Sequence, residues 1–207
     1  MDRLNNIVEL AGKIASNPSF SHELFGEKFY LVNVSVSRLS QNVDTVPVMI
    51  TERFGDIDKY HVGQTVRIEG RYRSFNHFDG KKNRLLLSVF AQKVETNELP
   101  NESRNEIYLD GYICKDPIFR ETPYGRQVAD VMLAVNRAYG KIDYIPCIAW
   151  GRNAKLISKL KTGAHIRTYG RIQSREYVKK YSETHAEKRI AYEVSISKIE
   201  VLNDEKE

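Results

Sequence analysis

The sequence predicts an all-β protein built from two tandem copies of one small barrel domain. Three observations lead to this prediction. Apolar and polar residues alternate over many short segments, the pattern recurs after about 99 residues, and each copy places one helical segment among its strands. The chain has 207 residues, which is enough for two domains of about 100 residues each. Its hydrophobic content of 41% is somewhat low but typical of a globular protein.

The repeat becomes visible when the chain is aligned with itself at an offset of 99 residues. The segment NIVELAGKIASNPSF (6–20) then lies over EIYLDGYICKDPIF (106–119). Further along, one inserted residue moves the offset to 100. The matched pairs include Leu10 with Leu109, Gly12 with Gly111, Arg38 with Arg137, Asp44 with Asp143, Gly70 with Gly170, Arg71 with Arg171 and Ser74 with Ser174. Ordered matches in this number indicate that one domain occurs twice.

Composition places the boundaries of the copies. The first domain is predicted over residues 1–95 and the second over residues 105–202. The polar stretch TNELPNESR (96–104) is predicted to be a linker, and residues 203–207 a short acidic tail. The net charge is +5, of which residues 1–98 carry +1 (13 Lys+Arg, 12 Asp+Glu) and the remainder +4 (19 and 15). A polyanionic partner is therefore expected mainly for the second half.

The strands follow in the same order in both copies. After the matched first segment, YLVNVSV (30–36) alternates apolar with polar residues, and VADVMLAV (128–135) is its counterpart. The later strands are TVPVMI (45–50) and YIPCIAW (144–150), then RIEGRYRSFNH (67–77) and RTYGRIQSREY (167–177), and finally LLLSVFAQKVE (85–95) and AYEVSISKIE (191–200).

A short helix is predicted between the third and fourth strands. In the second copy NAKLISKLKTG (153–163) has an apolar stripe of Ala154, Ile157 and Leu160 and a terminating Gly163. In the first copy GDIDKYHVG (55–63) takes this place. Three strands, a helix and two strands form the order of the OB-fold, a five-stranded Greek-key barrel, so the prediction is two tandem OB-folds. Two small sandwiches are the alternative, but they leave the helix unexplained.

The fourth strands carry the most distinctive pattern of the sequence. Because side chains alternate between the faces of a strand, one face of each would be basic and aromatic. In the second copy this face consists of Arg167, Tyr169, Arg171, Gln173, Arg175 and Tyr177, and in the first of Arg67, Glu69, Arg71, Arg73, Phe75 and His77. Rings that stack on bases, together with cations along the phosphates, are typical of binding to single-stranded nucleic acid. A solvated face of extended arginine side chains is the alternative.

Rings also occur in and around the third strand of the second copy. Tyr144, Ile148 and Trp150 share one parity, whereas Ile145, Cys147 and Ala149 have the parity expected of the core. Trp150 is the only tryptophan, and it precedes Gly151 and Arg152 at the predicted strand end. The residues Arg137 and Tyr139 fall in the preceding loop, and Arg38 is the first copy's equivalent of Arg137.

The sequence indicates binding rather than catalysis. It has no paired carboxylates, Ser/His/Asp set or glycine-rich phosphate loop, and its five histidines stand apart. Its two cysteines, Cys114 and Cys147, form no CxxC motif and are predicted to be buried thiols. We therefore expect no enzyme, metal or cofactor. We also expect neither a signal peptide nor a membrane span, and hence a cytoplasmic, nucleoid-associated protein of a bacterium.

The second copy resembles the bacterial single-stranded DNA-binding protein (SSB) family over about residues 105–201. The resemblance rests on LDGYICKDPIFRETPYGRQVADVMLAVNR, DYIPCIAWGRNAKLISKLKTG, YGRIQSREY and YEVSISKIEVL. It implies an OB-fold with four base-stacking positions, which Tyr139, Tyr144, Trp150 and Tyr177 occupy here. The first copy resembles a diverged member, with Thr45 and Thr51 in place of two rings, Ser40 or Gln41 in place of a third, and His77 in place of the fourth.

The resemblance also implies a function and an assembly. We expect sequence-independent binding and protection of single-stranded DNA during replication, recombination and repair. A primosome-type or structural adaptor that works through protein contacts is the alternative, and an RNA-binding OB protein is a third possibility. Because the family works with four OB-folds, a homodimer is expected, with a monomer as the alternative. The family's long tail with its terminal Pro-Phe is not matched by VLNDEKE (201–207), which puts tail-mediated recruitment of repair proteins in doubt.

Overall fold

A computed structural model describes residues 4–78, 80, 83–96, 103–180 and 186–202. The first copy contains β1 (Asn6–Ile14), β2 (Ser19–Leu24), β3 (Glu27–Ser37), β4 (Val43–Thr51), β5 (Thr65–Phe78) and β6 (Asn83–Glu95). The second contains β7 (Arg104–Ile113), β8 (Ile118–Glu121), β9 (Gln127–Asn136), β10 (Ile142–Trp150), α1 (Gly151–Ile157), β11 (His165–Lys180) and β12 (Ala186–Leu202). Most of the predicted linker, residues 97–102, and the predicted tail, 203–207, lie outside the described residues, as does His185.

Each copy closes into a barrel. In the first, β1 pairs with both β3 and β5, and β4 pairs in parallel with β6. In the second, β7 pairs with both β9 and β11, and β10 pairs in parallel with β12. The strands come in the predicted order, with a short helix before β11, so the predicted fold class of two tandem OB-folds is confirmed.

The structure adds one short strand to each copy that the sequence pattern did not predict. These strands, β2 and β8, pair with β3 and β9 and form the two outer edges of the sheet. Every side chain of β2 and of β8 is exposed, so neither strand shows the alternation that marks a half-buried strand.

The helices are shorter than predicted. Helix α1 ends at Ile157, and the chain then turns through Gly163, which has a φ of +92°. Ala154 and Ile157 are buried as expected, and Leu160 packs against the core from the following turn. In the first copy the predicted segment 55–63 contains one 3-10 turn, Ile57–Lys59, and a second turn of this kind, Glu52–Phe54, lies just before it.

Glycine allows the long strands to bend around the barrels. The register of β5 against β6 shifts at Gly70, and that of β11 against β12 shifts at the equivalent Gly170. A Cβ atom would collide with the Phe90 carbonyl oxygen at Gly70 and with the Ser195 carbonyl oxygen at Gly170. Only glycine fits this approach, which explains why both copies carry it.

The two barrels are joined through their first strands. β1 and β7 pair antiparallel from Asn6 with Leu109 to Ala11 with Arg104. Val8 pairs with Ile107, which is its own equivalent 99 residues later, so an approximate twofold axis passes through this pair. The strands β6, β5, β1, β7, β11 and β12 therefore follow one another in a continuous sheet across both copies.

Buried aliphatic side chains from both barrels form the core, including Leu10, Ile68, Leu109 and Ile166. Within the described residues, no helix is long and apolar enough to cross a lipid bilayer.

Candidate nucleic-acid interface

Trp150 lies at the end of β10 beside the hairpin that joins β8 and β9. Its side chain is 39% exposed, while Ile145, Cys147 and Ala149 of the same strand are buried in the core, as their parity predicted. Trp150 lines an open groove of about 490 Å³ together with Thr122, Tyr124 and Arg126. The lone tryptophan therefore presents part of its ring to solvent beside a cation and a second ring.

Tyr124 and Arg126 are candidate residues that the sequence analysis missed. Tyr124 stands at the tip of the β8–β9 hairpin and is 91% exposed. The turn is held by hydrogen bonds from the Thr122 N–H to the Arg126 carbonyl oxygen and from the Arg126 N–H to the Thr122 hydroxyl, and by Gly125, whose φ of +72° suits glycine. The sequence TPYGR contained the available signal, since an aromatic residue next to a turn glycine between two strands is placed at a hairpin tip.

Tyr139 and Tyr144 lie on the loop and strand before Trp150. Tyr139 is fully exposed and has a φ of +58° in the short turn Ala138–Gly140. A hydrogen bond from the Arg137 backbone N–H to the Lys141 carbonyl oxygen closes that turn. Tyr144 is 41% exposed, on the same side of β10 as Trp150. Both rings can therefore be reached by a ligand from solvent.

The outer half of β11 carries Arg175 and Tyr177. Arg175 is exposed, lies 6.0 Å from the centre of the half-buried Tyr177 ring, and is 3.7 Å from the Glu193 carboxylate of β12. Arg152 is exposed in the first turn of α1. These residues place two cations and one ring on the second copy in addition to those around Trp150.

Arg137 and Arg73 have a carboxylate partner between the domains. The Asp143 side chain is fully buried, and its Oδ1 accepts a hydrogen bond from the Ser74 backbone N–H at 2.9 Å. Its Oδ2 accepts one from Arg73 at 2.8 Å, and Arg137 lies 3.4 Å from Oδ1. Arg73 and Ser74 come from the first copy, so this carboxylate joins the two domains.

The equivalent carboxylate, Asp44, forms the contact related to this one by the approximate twofold axis. It is buried and accepts hydrogen bonds from the Nε and one Nη atom of Arg38. It also accepts a hydrogen bond from the Ser174 backbone N–H at 3.0 Å. The Nε atom of Arg171 lies 3.6 Å from Asp44, which makes an ion pair without a hydrogen bond. Burial, with the positive charge of Arg38, lowers the pKa of Arg171. The predicted phosphate contacts Arg38, Arg73, Arg137 and Arg171 thus all face a buried carboxylate at the domain interface.

Arg167 and Tyr169 lie on the outer face of the sheet that spans both copies. Arg167 and His165 both hydrogen-bond Asp110, at 2.9 and 2.6 Å. Burial alone would raise the pKa of Asp110, but these two hydrogen bonds hold it below its ordinary value. Tyr169 packs 5.1 Å from the ring of Tyr108, in a groove that shares no lining residue with that of Trp150.

In the first copy the predicted residues form no comparable group of rings. Thr45 and Thr51 stand in place of Tyr144 and Trp150, and Thr51 is buried and caps the turn that follows it. Phe75 is partly exposed, Arg71 is half-buried, and Arg67 lies 3.9 Å from Glu95. Phe25, the equivalent of Tyr124, is 99% exposed at its own hairpin tip, beside Glu27 instead of an arginine.

The described residues offer little for metal or thiol chemistry. Among them, no group of three His, Cys, Asp or Glu side chains could hold a metal ion. Cys147 is buried, Cys114 is half-buried, and both are free thiols. Burial raises the pKa of both thiols, which favours their protonated form near neutral pH.

Comparison with known proteins finds relatives of the second copy. Residues 104–202 match the family model described as "Single-strand binding protein family". The chain is 39% identical over 80 residues to the single-stranded DNA-binding protein of Bacillus cereus, covering 35% of this chain and 47% of that protein. It has the same identity over the same length to single-stranded DNA-binding protein A of Bacillus subtilis, covering 46% of it. The chain therefore spans about half the length of these curated relatives.

Among solved structures, both copies together resemble the wild-type single-stranded DNA binding protein from Thermus aquaticus. The TM-score is 0.74 at 22% sequence identity, and the match covers 98% of this chain and 95% of that one. A deletion mutant of the same protein gives a TM-score of 0.75 at 23% identity. At this identity the likeness shows the fold, and it extends over both barrels.

Proposed function

We propose that this chain, whose residues 104–202 match the single-strand binding protein family model, binds single-stranded DNA without regard to sequence and shields it during replication, recombination and repair. The observation that carries the proposal is the set of exposed rings on the second domain, which includes Trp150 and its groove neighbour Tyr124, in the part of the chain that matches the family model. The family consists of non-enzymatic DNA-binding proteins, in agreement with the expectation that the chain is not an enzyme.

The second domain would supply most of the base stacking. Its exposed or half-buried rings include Tyr124, Tyr139, Tyr144, Trp150 and Tyr177, and each base stacked on a ring contributes about 1–3 kcal/mol. Every base has a flat face, so stacking does not depend on sequence. Hydrogen bonds to base edges, which read sequence, are not required for this mode of binding.

The phosphates would be held by a smaller set of arginines than the strand parity predicted. Arg126, Arg152 and Arg175 are exposed near the rings, whereas Arg38, Arg73, Arg137 and Arg171 face Asp44 and Asp143. A guanidinium already paired with a buried carboxylate gains little from a phosphate, because it would have to give up that contact. We therefore assign the exposed three to the backbone and the interior four to the domain interface.

The test is binding of a dye-labelled oligo-dT, measured by fluorescence anisotropy at two salt concentrations. The proposal predicts tight binding with a steep salt dependence. A plot of the logarithm of the binding constant against the logarithm of salt concentration should have a slope of about −0.7 for each phosphate neutralised. A duplex of the same length should bind much more weakly, because its bases are stacked inside the helix. Weak binding that is insensitive to salt would instead support an adaptor that works through protein contacts, and stronger binding to an oligo-U would support an RNA-binding protein.

We also propose that the protein forms a homodimer, which would bring four OB-folds together. The support is the outer face of the six-stranded sheet, where Ile7, Tyr108 and Tyr169 line an open groove of about 590 Å³. This groove lies next to the β1–β7 junction, so a second copy placed on it would contact both domains at once. Sedimentation should give twice the chain mass of 23.9 kDa, whereas a mass near that of one chain would rule out the dimer.

A further inference from the structure

The two domains exchange hydrogen bonds at symmetry-related points, and one of these points lies directly under the rings of the second domain. The hydroxyl of Ser74, in the first domain, accepts the backbone N–H of Tyr144 at 2.8 Å. The backbone N–H of the same serine donates to Asp143, the residue before Tyr144, at 2.9 Å. Ser74 is 8% exposed, so these two bonds form away from solvent and fix the position of strand β10 at this point.

The interaction extends to the loop that carries Tyr139. Arg137 lies 3.4 Å from Asp143 and begins this loop, so Asp143 holds the loop from one side. Arg73 of the first domain hydrogen-bonds the other carboxylate oxygen at 2.8 Å. The position of Asp143, and with it that of the loop and of Tyr144, therefore depends on two residues of the neighbouring domain.

We propose that Ser74 and Arg73 of the first domain are positioning residues for the base-stacking rings Tyr144 and Tyr139 of the second. The inference rests on the proposed binding of single-stranded DNA and assigns the first domain a part in it. A ring that stacks on a base must be held in its orientation before the ligand arrives, because any freedom lost on binding reduces affinity. The first domain lacks the rings themselves, with Thr45 and Thr51 at two of the positions, yet it retains the residues that hold them.

The approximate symmetry of the chain supplies a matched control. At the contact related by the approximate twofold axis, the hydroxyl of Ser174 accepts a hydrogen bond from the backbone N–H of Thr45 at 2.9 Å. The backbone N–H of Ser174 donates to Asp44 at 3.0 Å. The two serines therefore make the same bonds across the same interface. They differ in what they hold, since Ser74 holds a residue with a ring and Ser174 holds a threonine.

The experiment compares Ser74→Ala with Ser174→Ala in the full-length chain. We expect the two variants to lose similar stability in urea, because equivalent hydrogen bonds are removed from each. Ser74→Ala should bind oligo-dT about 3- to 10-fold more weakly than the parent chain, the effect of removing one hydrogen bond on an equilibrium. Ser174→Ala should change the affinity by less than about twofold. Equal losses of affinity in the two variants would overturn the proposal.

A double-mutant cycle with Tyr144→Ala separates positioning from general destabilisation. If Ser74 acts through the tyrosine ring, then Ser74→Ala should cost little further affinity once the ring is gone. Fully additive losses would show that the serine does not act through this ring. If the parent chain does not bind oligo-dT at all, the proposed function fails before this comparison begins.

Arg73→Met provides a second, independent readout. If Arg73 is a positioning residue, its replacement should lower the affinity for oligo-dT and leave the salt dependence of binding unchanged. If Arg73 contacts phosphate directly, the logarithmic salt slope should fall by about 0.7. That outcome would contradict the role assigned here.

Discussion

Replacement of Arg171 by alanine distinguishes a domain contact from a phosphate contact. The strand parity alone places Arg171 on a DNA-binding face, and if its guanidinium neutralised a phosphate there, the substitution would lower the salt slope by about 0.7. In the structure Arg171 lies 3.6 Å from the buried Asp44. We therefore expect Arg171→Ala to leave the salt slope for oligo-dT unchanged and to lower the free energy of unfolding.

The expected loss of stability follows from the partners of Asp44. Removing one partner of a buried ion pair costs about 3–5 kcal/mol when the other is left uncompensated. Asp44 keeps its hydrogen bonds from Arg38 and from the Ser174 backbone N–H, so it is not left unpaired. Arg171 makes no hydrogen bond to it, and burial already lowers the pKa of Arg171, which means that its charge is poorly solvated. We therefore expect a loss of about 1–2 kcal/mol.

Urea unfolding and anisotropy titrations at several salt concentrations measure the two quantities. Arg175→Ala is the control, because this side chain is 56% exposed and lies on the same strand. It should lower the slope by about 0.7 and change stability by less than about 0.5 kcal/mol. The reasoning is refuted if Arg171→Ala lowers the slope and leaves stability unchanged.

Three further predictions follow from the site and its surroundings. Tyr124→Ala should weaken oligo-dT binding by about 1–3 kcal/mol, whereas Phe25→Ala, at the equivalent hairpin tip of the first domain, should cost less than about 0.5; equal losses would argue against stacking concentrated in the second domain. Because the pKa of Asp110 is lowered in the folded chain, its ionised form stabilises the fold above the ordinary value of 3.8, and this contribution is lost as pH falls through the lower folded value. Asp110→Asn should therefore flatten the acid side of the stability curve, and an unchanged curve in urea titrations at pH values below the ordinary one would contradict this. Cys147 should resist a thiol reagent in the folded protein while Cys114 reacts first, and the reverse order, read by mass spectrometry, would show that Cys147 is accessible.

The sequence predicted the barrels well because the repeat and the strand alternation both report burial. Val32, Val34 and Val36 alternate along β3 and are all buried. The same method could not detect β2, because none of its side chains is buried and the strand therefore lacks the alternation of apolar and polar residues. It also overestimated the helix after β10, which ends at Ile157 even though Leu160 continues its apolar stripe from the turn that follows.

The candidate site was predicted in part for a related reason. Parity correctly placed Tyr144 and Trp150 on the exposed side of β10 and Cys147 in the core, but it was wrong for Ile148, which shares the parity of the two rings and is buried. It cannot show which surface a neighbouring domain covers, so Arg73 and Arg171 were assigned to DNA although they face Asp143 and Asp44. One signal was available in the sequence. Asp44 and Asp143 are 99 residues apart, and each lies near the start of a strand. A carboxylate that is buried at such a position needs a cationic partner.

The emission of Trp150 during titration with oligo-dT tests the central claim most directly. Trp150 is the only tryptophan of the chain and lies in the groove with Tyr124 and Arg126, so its signal reports on the proposed stacking surface alone. The account predicts saturable quenching at low salt, a midpoint that moves to higher DNA concentration as salt is added, and a loss of about 1–3 kcal/mol of binding in Trp150→Ala. Unchanged emission at a DNA concentration that saturates binding by anisotropy, with a Trp150→Ala variant that binds as well as the parent chain, would contradict it.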